Sequence, residues 1–136
     1  MTETDVFIIS ASRAPQLEPA IRDSIKPLGA NLNRVQDAIF GWDDQPPANT
    51  GEILGLTGLA CPGINIPSSM RALFFAAQSI LAGDVDVVLV CGQGGAGCFG
   101  LLLASPAAVG RFNLSPLDED FLLQHFRGPA RGKPDA

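Results

Sequence analysis

Ser68-Ser69-Met70-Arg71-Ala72-Leu73-Phe74-Phe75-Ala76-Ala77-Gln78-Ser79-Ile80-Leu81-Ala82-Gly83-Asp84-Val85-Asp86-Val87-Val88-Leu89-Val90-Cys91-Gly92 carries the clearest structural signal in the chain. Ser68 or Ser69 supplies an N-cap and Gly83 a stop, so the spacing predicts a helix over 68–82. After the cap its only strongly polar positions are Arg71, Gln78 and Ser79, and a helix apolar nearly all round is a buried one. Val85 to Val90 follows as a run apolar but for Asp86, the pattern of a strand covered on both faces.

Upstream, Val6-Phe7-Ile8-Ile9 is apolar, β-branched and too short for a helix, and reads as a first buried strand. Over 16–28, Leu17, Ile21, Ile25 and Leu28 form one stripe, with Glu18, Arg22 and Lys26 elsewhere. This is an amphipathic surface helix whose Pro19 is tolerable because it falls in the first turn. Val35 to Phe40 reads as a second strand ended by Gly41, and Asp43 to Asn49, with two prolines, as a loop. Thr50 is placed to cap a short helix over 51–58, and Cys61 to Ile66 gives a third strand weakened by Pro62. Downstream, Gly92-Gln93-Gly94-Gly95-Ala96-Gly97 is a loop and Phe99 to Ala104 a last strand. From Pro106 the pattern fades, and RGPARGKPDA has the composition of a flexible tail.

Strands alternating with helices, closed by a hairpin-like strand pair, predict an α/β fold. The expected sheet has five strands, is mostly parallel with an antiparallel last strand, and carries helices on both faces. The domain spans 1–110, and 111–136 forms a C-terminal extension and flexible tail.

Composition bounds the function. The chain has 136 residues, 46% hydrophobic and 17% charged, enough for one domain with a real core. Its net charge of −5 argues against a nucleic-acid surface, which needs clustered Lys and Arg. No apolar run reaches the roughly 18–20 residues that span a bilayer, so no membrane is expected. The acidic start MTETDVFIIS does not read as a signal peptide. The odd number of cysteines, 3, suits reduced thiols in a cytoplasm better than a disulfide framework.

Two segments resemble the thiolase superfamily, the thiolases and ketoacyl synthases. Val6-Phe7-Ile8-Ile9-Ser10-Ala11-Ser12-Arg13-Ala14-Pro15 is similar to the first thiolase strand, which reads V-I-V-S-A-x-R-T-P. The more specific match is 68–92, similar to the nucleophile-bearing helix and fourth strand, with its A-x-Q-x-I-x-x-G-x-x-D ending. Gly97 to Ser105, GCFGLLLAS, is similar to the fifth strand, so the resemblance orders residues 4–105 as an N-terminal half-domain. Two departures accompany it. Family members carry the nucleophilic cysteine twelve residues before the glutamine that is Gln78 here, and that position is Ile66. Isoleucine has no nucleophilic atom, so the family's covalent route is excluded at this position. Thiolases also contain two such halves, the second supplying the activating histidine and a second cysteine. The only histidine here is His125, in the weakly patterned C-terminal part.

Cys61 lies five residues before Ile66, about 16 Å along a strand, and so cannot simply substitute for the missing thiol. Cys91 closes the fourth strand at the edge where α/β sheets bind ligands, with packing as its simpler role; Cys98 packs in the last strand. Ser68 and Ser69 sit where a helix N-terminus favours an anion, with capping as the simpler role. Gly92, Gly94 and Gly95 belong to a G-x-G-x-x-G string, but that fingerprint must open a helix after the first strand, and here an apolar strand follows. A tight turn explains it without a nucleotide. No ligand spacing supports a metal, and no cofactor is expected. Asp43-Asp44 and Asp118-Glu119-Asp120 read as solvated loop charges, and His125 as a surface residue.

Helix 68–82 bears on partners. Met70, Leu73, Phe74 and Ala77 form one apolar stripe and Ala72, Phe75, Ala76 and Ile80 another, yet one sheet covers one stripe only. In thiolases the resemblance places this helix between two sheets. Leaving one aromatic exposed forfeits roughly 2–3 kcal/mol at about 25 cal/mol per Å², against a total stability of about 5–15 kcal/mol. The expectation is a chain that does not act as a monomer but pairs with itself or with a larger thiolase-like chain, with acyl-CoA reached through that partner. The leading reading is a non-catalytic subunit supporting acyl-CoA condensation or thiolysis. Alternatives are one chain of a split, active acyltransferase whose partner supplies cysteine and histidine, and a small CoA- or nucleotide-binding module using 92–97.

Overall fold

The computed structural model describes residues 6–43, 49–94 and 97–117. Five strands form one sheet: β1 (Phe7–Ala14), β2 (Asp37–Trp42), β3 (Gly63–Pro67), β4 (Val87–Gly94) and β5 (Gly97–Ala104). Their order is β1-β5-β4-β2-β3. β3, β2 and β4 pair in parallel, whereas β5 runs antiparallel to both neighbours, β4 and β1. Four strands therefore point one way, but the expectation of a mostly parallel sheet holds only in part. Because the reversed strand sits inside the sheet, the pairings themselves divide evenly between parallel and antiparallel.

Helices cover both faces. On one lie α1 (Leu17–Ile25), α2 (Thr50–Leu56) and the short α4 (Pro106–Arg111). There Ile21, Leu54 and Ala108 join Phe40, Leu89, Cys91 and Leu102 in a single apolar cluster. α3 (Ser69–Leu81) covers the other face, where Ala72, Ala76 and Ile80 meet Ile39, Val88, Val90, Leu101 and Leu103. The strands β4 and β5 thus bury both faces, which explains their unbroken runs of Val and Leu.

Small residues set the approach of α3. A Cβ built on Gly41 would stand 2.8 Å from Ser69 Cα and 2.9 Å from Ala72 Cβ. Only glycine in β2, with alanines on the helix, lets the helix axis sit this low. The opposite side uses the same device, since a Cβ on Gly100 would meet the Ala20 carbonyl oxygen and Ser24 Oγ, both at 2.7 Å.

Several expected boundaries shift. β1 runs on to Ala14, beyond the expected Ile9, because Ser10 and Ser12 donate hydroxyl hydrogen bonds to the α1 carbonyls of Ser24 and Ala20. β2 extends to Trp42 and β3 begins at Gly63, past Cys61 and Pro62. Thr50 starts α2 rather than capping it. Asn49 is the cap, in the left-handed region at φ 59°. α3 ends as read: Ser68 caps it and Gly83 takes φ 83° just beyond it. It is not buried all round, however. Phe75, grouped by sequence with Ala72 and Ala76, is 43% exposed, and Met70 and Phe74 face outward.

α4 was hidden by its length, although Ser105 accepts a hydrogen bond from the Ala108 N–H and Pro106 occupies the first turn. The expected boundary at 110 falls inside this helix, and packing continues past it. Leu114 is buried in the core and the Leu117 N–H donates to the Ile8 carbonyl oxygen. His125, Asp118-Glu119-Asp120 and the tail lie outside the described residues, as do Asp44 and Gly95.

Candidate functional site

The carboxyl ends of β2, β3 and β4 come together at the N-terminus of α3. There the register aligns Trp42 with Pro67 on one side and with Gln93 on the other. One residue back, Ile66 pairs with Gly41, its half-buried side chain packed on the α3 side of the sheet. Ile66 is a residue of β3, before the cap, and its neighbours on that face are apolar: Ile39, Val90, Ala72 and Phe99 among them. The position that a nucleophile would occupy by sequence is filled with hydrocarbon.

Ser68 makes the turn from strand to helix with φ 86° and ψ 119°, an uncommon conformation for a residue with a Cβ. Its N–H donates to the Trp42 carbonyl oxygen at 2.6 Å, and its Oγ accepts from the Arg71 N–H at 3.3 Å. The Ser69 N–H donates to Asp43 Oδ1 at 3.1 Å, and the Ser69 hydroxyl to Asp43 Oδ2 at 3.3 Å. Asp43, an exposed loop charge as expected, is also the carboxylate that sits at the positive end of α3. The Ser69 and Arg71 N–H groups, which an anion would use, are thus taken by the loop carboxylate of Asp43 and by the Ser68 cap. Nothing local in the sequence announced this contact, because 26 residues separate its partners.

Cys91 lies in β4 on the opposite face. It is fully buried in the cluster under α1, paired with Phe40 and Gly100. Burial pushes its thiol well above the ordinary cysteine range, and the neighbouring Cys61 and Cys98 push it further the same way. Cys61 is half-buried in the bend before β3; desolvation raises it and the Asp37 carboxylate adds to the rise, against a lowering from its backbone hydrogen bond. Cys98 is also raised by burial, and its Sγ lies 3.8 Å from the Pro15 carbonyl oxygen. All three thiols are free, all pack on the α1 side, and burial shifts each of them towards the protonated, less nucleophilic form. The sheet itself separates them from Ile66.

Gly92 and Gly94 are the last part of β4, and Gly94 pairs with Gly97 at the start of β5. The glycine string thus joins two antiparallel strands and opens no helix. A Cβ on Gly92 would lie 2.2 Å from the Gly41 carbonyl oxygen and 2.8 Å from Phe99 Cε1, so packing alone demands glycine there.

At the other end of the sheet, a cleft of about 190 Å³ is lined by Asn33, Arg34, Gln36, Asp86, Val87, Arg111 and Phe112. It contains none of the candidate residues. Gln36 Oε1 accepts from the N–H groups of Asp86 and Val87, at 2.6 and 3.3 Å, tying the starts of β2 and β4 together. Among the described residues no group of three or more His, Cys, Asp or Glu side chains could hold a metal ion. Among them, too, no helix is long and apolar enough to cross a membrane.

One sheet of order β1-β5-β4-β2-β3, with α3 the one described helix on its second face, superposes on the peroxisomal 3-ketoacyl-CoA thiolase of Saccharomyces cerevisiae with a TM-score of 0.70. The chain has a thiolase fold. Sequence identity to the yeast enzyme is 14%, over 86% of this chain and 65% of that one. That protein is described as five layered, α-β-α-β-α, built from two core domains of identical topology. OleA of Xanthomonas campestris with bound cerulenin gives a TM-score of 0.52 at 15% identity, over 69% of this chain and 42% of OleA. OleA with lauric acid and lauroyl-CoA gives 0.51 at 15% identity, over 70% and 42%. The thiolase-like chain thus spans less than two thirds of each of these structures. No protein-family model and no curated protein sequence matches it.

Proposed function

We propose that this thiolase-like chain is a non-catalytic subunit that associates with itself or with a full-length thiolase or other acyl-CoA enzyme. In that association it supports acyl-CoA condensation or thiolysis, with acyl-CoA bound through the partner, in the reducing cytoplasm that suits its free thiols. The observation that carries the reading is Ile66. The strand position matching the family's nucleophile ends in a branched hydrocarbon packed under α3, and every described thiol lies across the sheet with its proton held on by burial. A thioester cannot form on a side chain without a lone pair, and a protonated buried thiol attacks poorly.

The test is acyl transfer from acetyl-CoA to the purified chain, followed by intact mass and by release of free CoA. The expected result is no covalent acyl adduct and no thiolysis of acetoacetyl-CoA. The Ile66→Cys variant is expected to stay inactive as well, because the apolar face around that position raises rather than lowers a thiol pKa. A stoichiometric acyl adduct on the unmodified chain would overturn the reading.

A further inference from the structure

Four residues of α3 line up on the side of the helix away from the sheet: Met70, Phe74, Ala77 and Leu81, at spacings of four, three and four. Met70 is 74% exposed, Phe74 66% and Leu81 38%, and they make up most of the large apolar side chains that the described structure leaves in water. At about 100° per residue the four fall within a stripe about 60° wide, the narrow seam of a helix that meets one other helix. A sheet would need a broader face. The helices on the other side of the sheet offer nothing comparable, since α1 turns Glu18, Arg22 and Asp23 outward.

The seam is self-complementary. Laid antiparallel about a twofold axis between Phe75 and Ala76, it brings Phe74 of one copy over Ala77 of the other, and Met70 against Leu81. Each contact sets a large side chain against a smaller or more pliable one, which is how helix ridges fill grooves. A parallel pair would instead oppose Phe74 to Phe74 and leave a gap between the two alanines. Charge agrees with the antiparallel choice. Arg71 is the only charged residue of α3, and the twofold axis puts the two copies about 13–14 Å apart along the helices, beyond the screening length of about 8 Å. Parallel pairing would set the two guanidinium groups side by side.

We infer that the chain forms a twofold homodimer through antiparallel packing of α3, with Phe74 seated on Ala77 of the second copy. The two sheets would then enclose a shared helical layer, the α-β-α-β-α arrangement that the yeast thiolase builds from its own two core domains. This deepens the subunit reading by naming its partner. From the exposures above, the seam offers on the order of 400 Å² per copy, about half the roughly 800 Å² of a standard interface. The dimer is therefore expected to dissociate in the micromolar range.

Sedimentation equilibrium of the full chain between about 5 and about 200 micromolar tests it. The mass should rise from 14.2 kDa towards twice that value. Phe74→Lys alone should hold the chain at the monomer mass, whereas Phe74→Lys combined with Ala77→Glu should restore the dimer, because the antiparallel register sets position 74 of one copy against position 77 of the other, beyond the pair three residues apart on the same helix. Circular dichroism checks that both variants fold, as expected for exposed Phe74 and half-buried Ala77. A wild-type monomer at the highest concentration overturns the inference, as does a dimer that survives Phe74→Lys or a double variant that stays monomeric. None of these outcomes bears on the acyl-transfer assay, so a catalytic homodimer and a non-catalytic monomer would be told apart.

Discussion

Replacing Gly41 by alanine should lower the stability of the whole fold, through one methyl group. The new Cβ would stand 2.8 Å from Ser69 Cα and 2.9 Å from Ala72 Cβ. Carbon atoms rest about 3.5–4.0 Å apart, so the first turn of α3 must withdraw by roughly 1 Å or β2 must bend. Neither opposing atom belongs to a flexible side chain: one is backbone and the other is fixed to it. Overpacking of this kind costs about 1–3 kcal/mol, and the rigid contact places Gly41→Ala in the upper half of that range. For a chain of this size about 1 kcal/mol moves the melting temperature by roughly 3–5 °C, so a fall of about 6–15 °C is expected. Thermal and urea unfolding followed by circular dichroism would measure it, with a lower urea midpoint at an unchanged slope. Gly55→Ala in α2 is the control. An added Cβ there meets nothing within 4 Å, and the gain in helix propensity should stabilise by about 0.5–1 kcal/mol. Equal stability of Gly41→Ala and the parent chain would refute the claim that glycine sets the depth of α3.

Three further outcomes follow from the site. Gly92→Ala should cost more than Gly41→Ala, because its Cβ would fall 2.2 Å from a carbonyl oxygen in the neighbouring strand; failure to recover folded protein is the expected result, and a normal melt would contradict the packing described. Asp43→Ala removes the carboxylate from the end of α3 and should cost about 1 kcal/mol in urea unfolding, the usual worth of a cap. Burial raises the Cys91 pKa in the folded chain, so its contribution to stability is complete below the unfolded value of about 8.5 and is lost as pH rises above it, by up to 1.4 kcal/mol per pH unit. The chain has no tyrosine to obscure that range, but Cys61 and Cys98 are raised in the same direction, so Cys91→Ala should reduce the slope of stability against pH between about 8.5 and 10 rather than abolish it.

The helix and strand between Ser68 and Gly92 were legible because their signals are local: a serine cap, a glycine stop, and a run of valines short enough to be only a strand. The direction of β5 was also legible from its hairpin with β4. Its place between β4 and β1 was not, since strand order depends on pairings nearly a hundred residues apart. Ser10 and Ser12 concealed half of β1 for a related reason. Their hydroxyls look like loop chemistry until α1 supplies the carbonyls they bond. At the candidate site, the sequence marked Ile66 as the position without a nucleophile and Ser68 as a cap. It missed Asp43, because a carboxylate in a proline-rich loop carries no mark of the helix end it will meet. It also placed Cys91 at the ligand-binding edge, where alternation along β4 turns the thiol to the other face.

The position of β5 also fixes when the chain can become whole. Among the described residues β1 has no strand neighbour but β5, and its register begins with Phe7 against Ala104. A ribosome adding about 5–20 residues per second therefore leaves the first strand waiting roughly 5–20 s for its mate. During that interval β2, β3 and β4 can already assemble by parallel pairing around α3, while the apolar Phe7, Ile8 and Ile9 stay uncovered. A nascent chain arrested before residue 104 would hold a sheet open on one side and an unpaired strand beside it. That is the state in which a chaperone or an unwanted strand partner would find this protein.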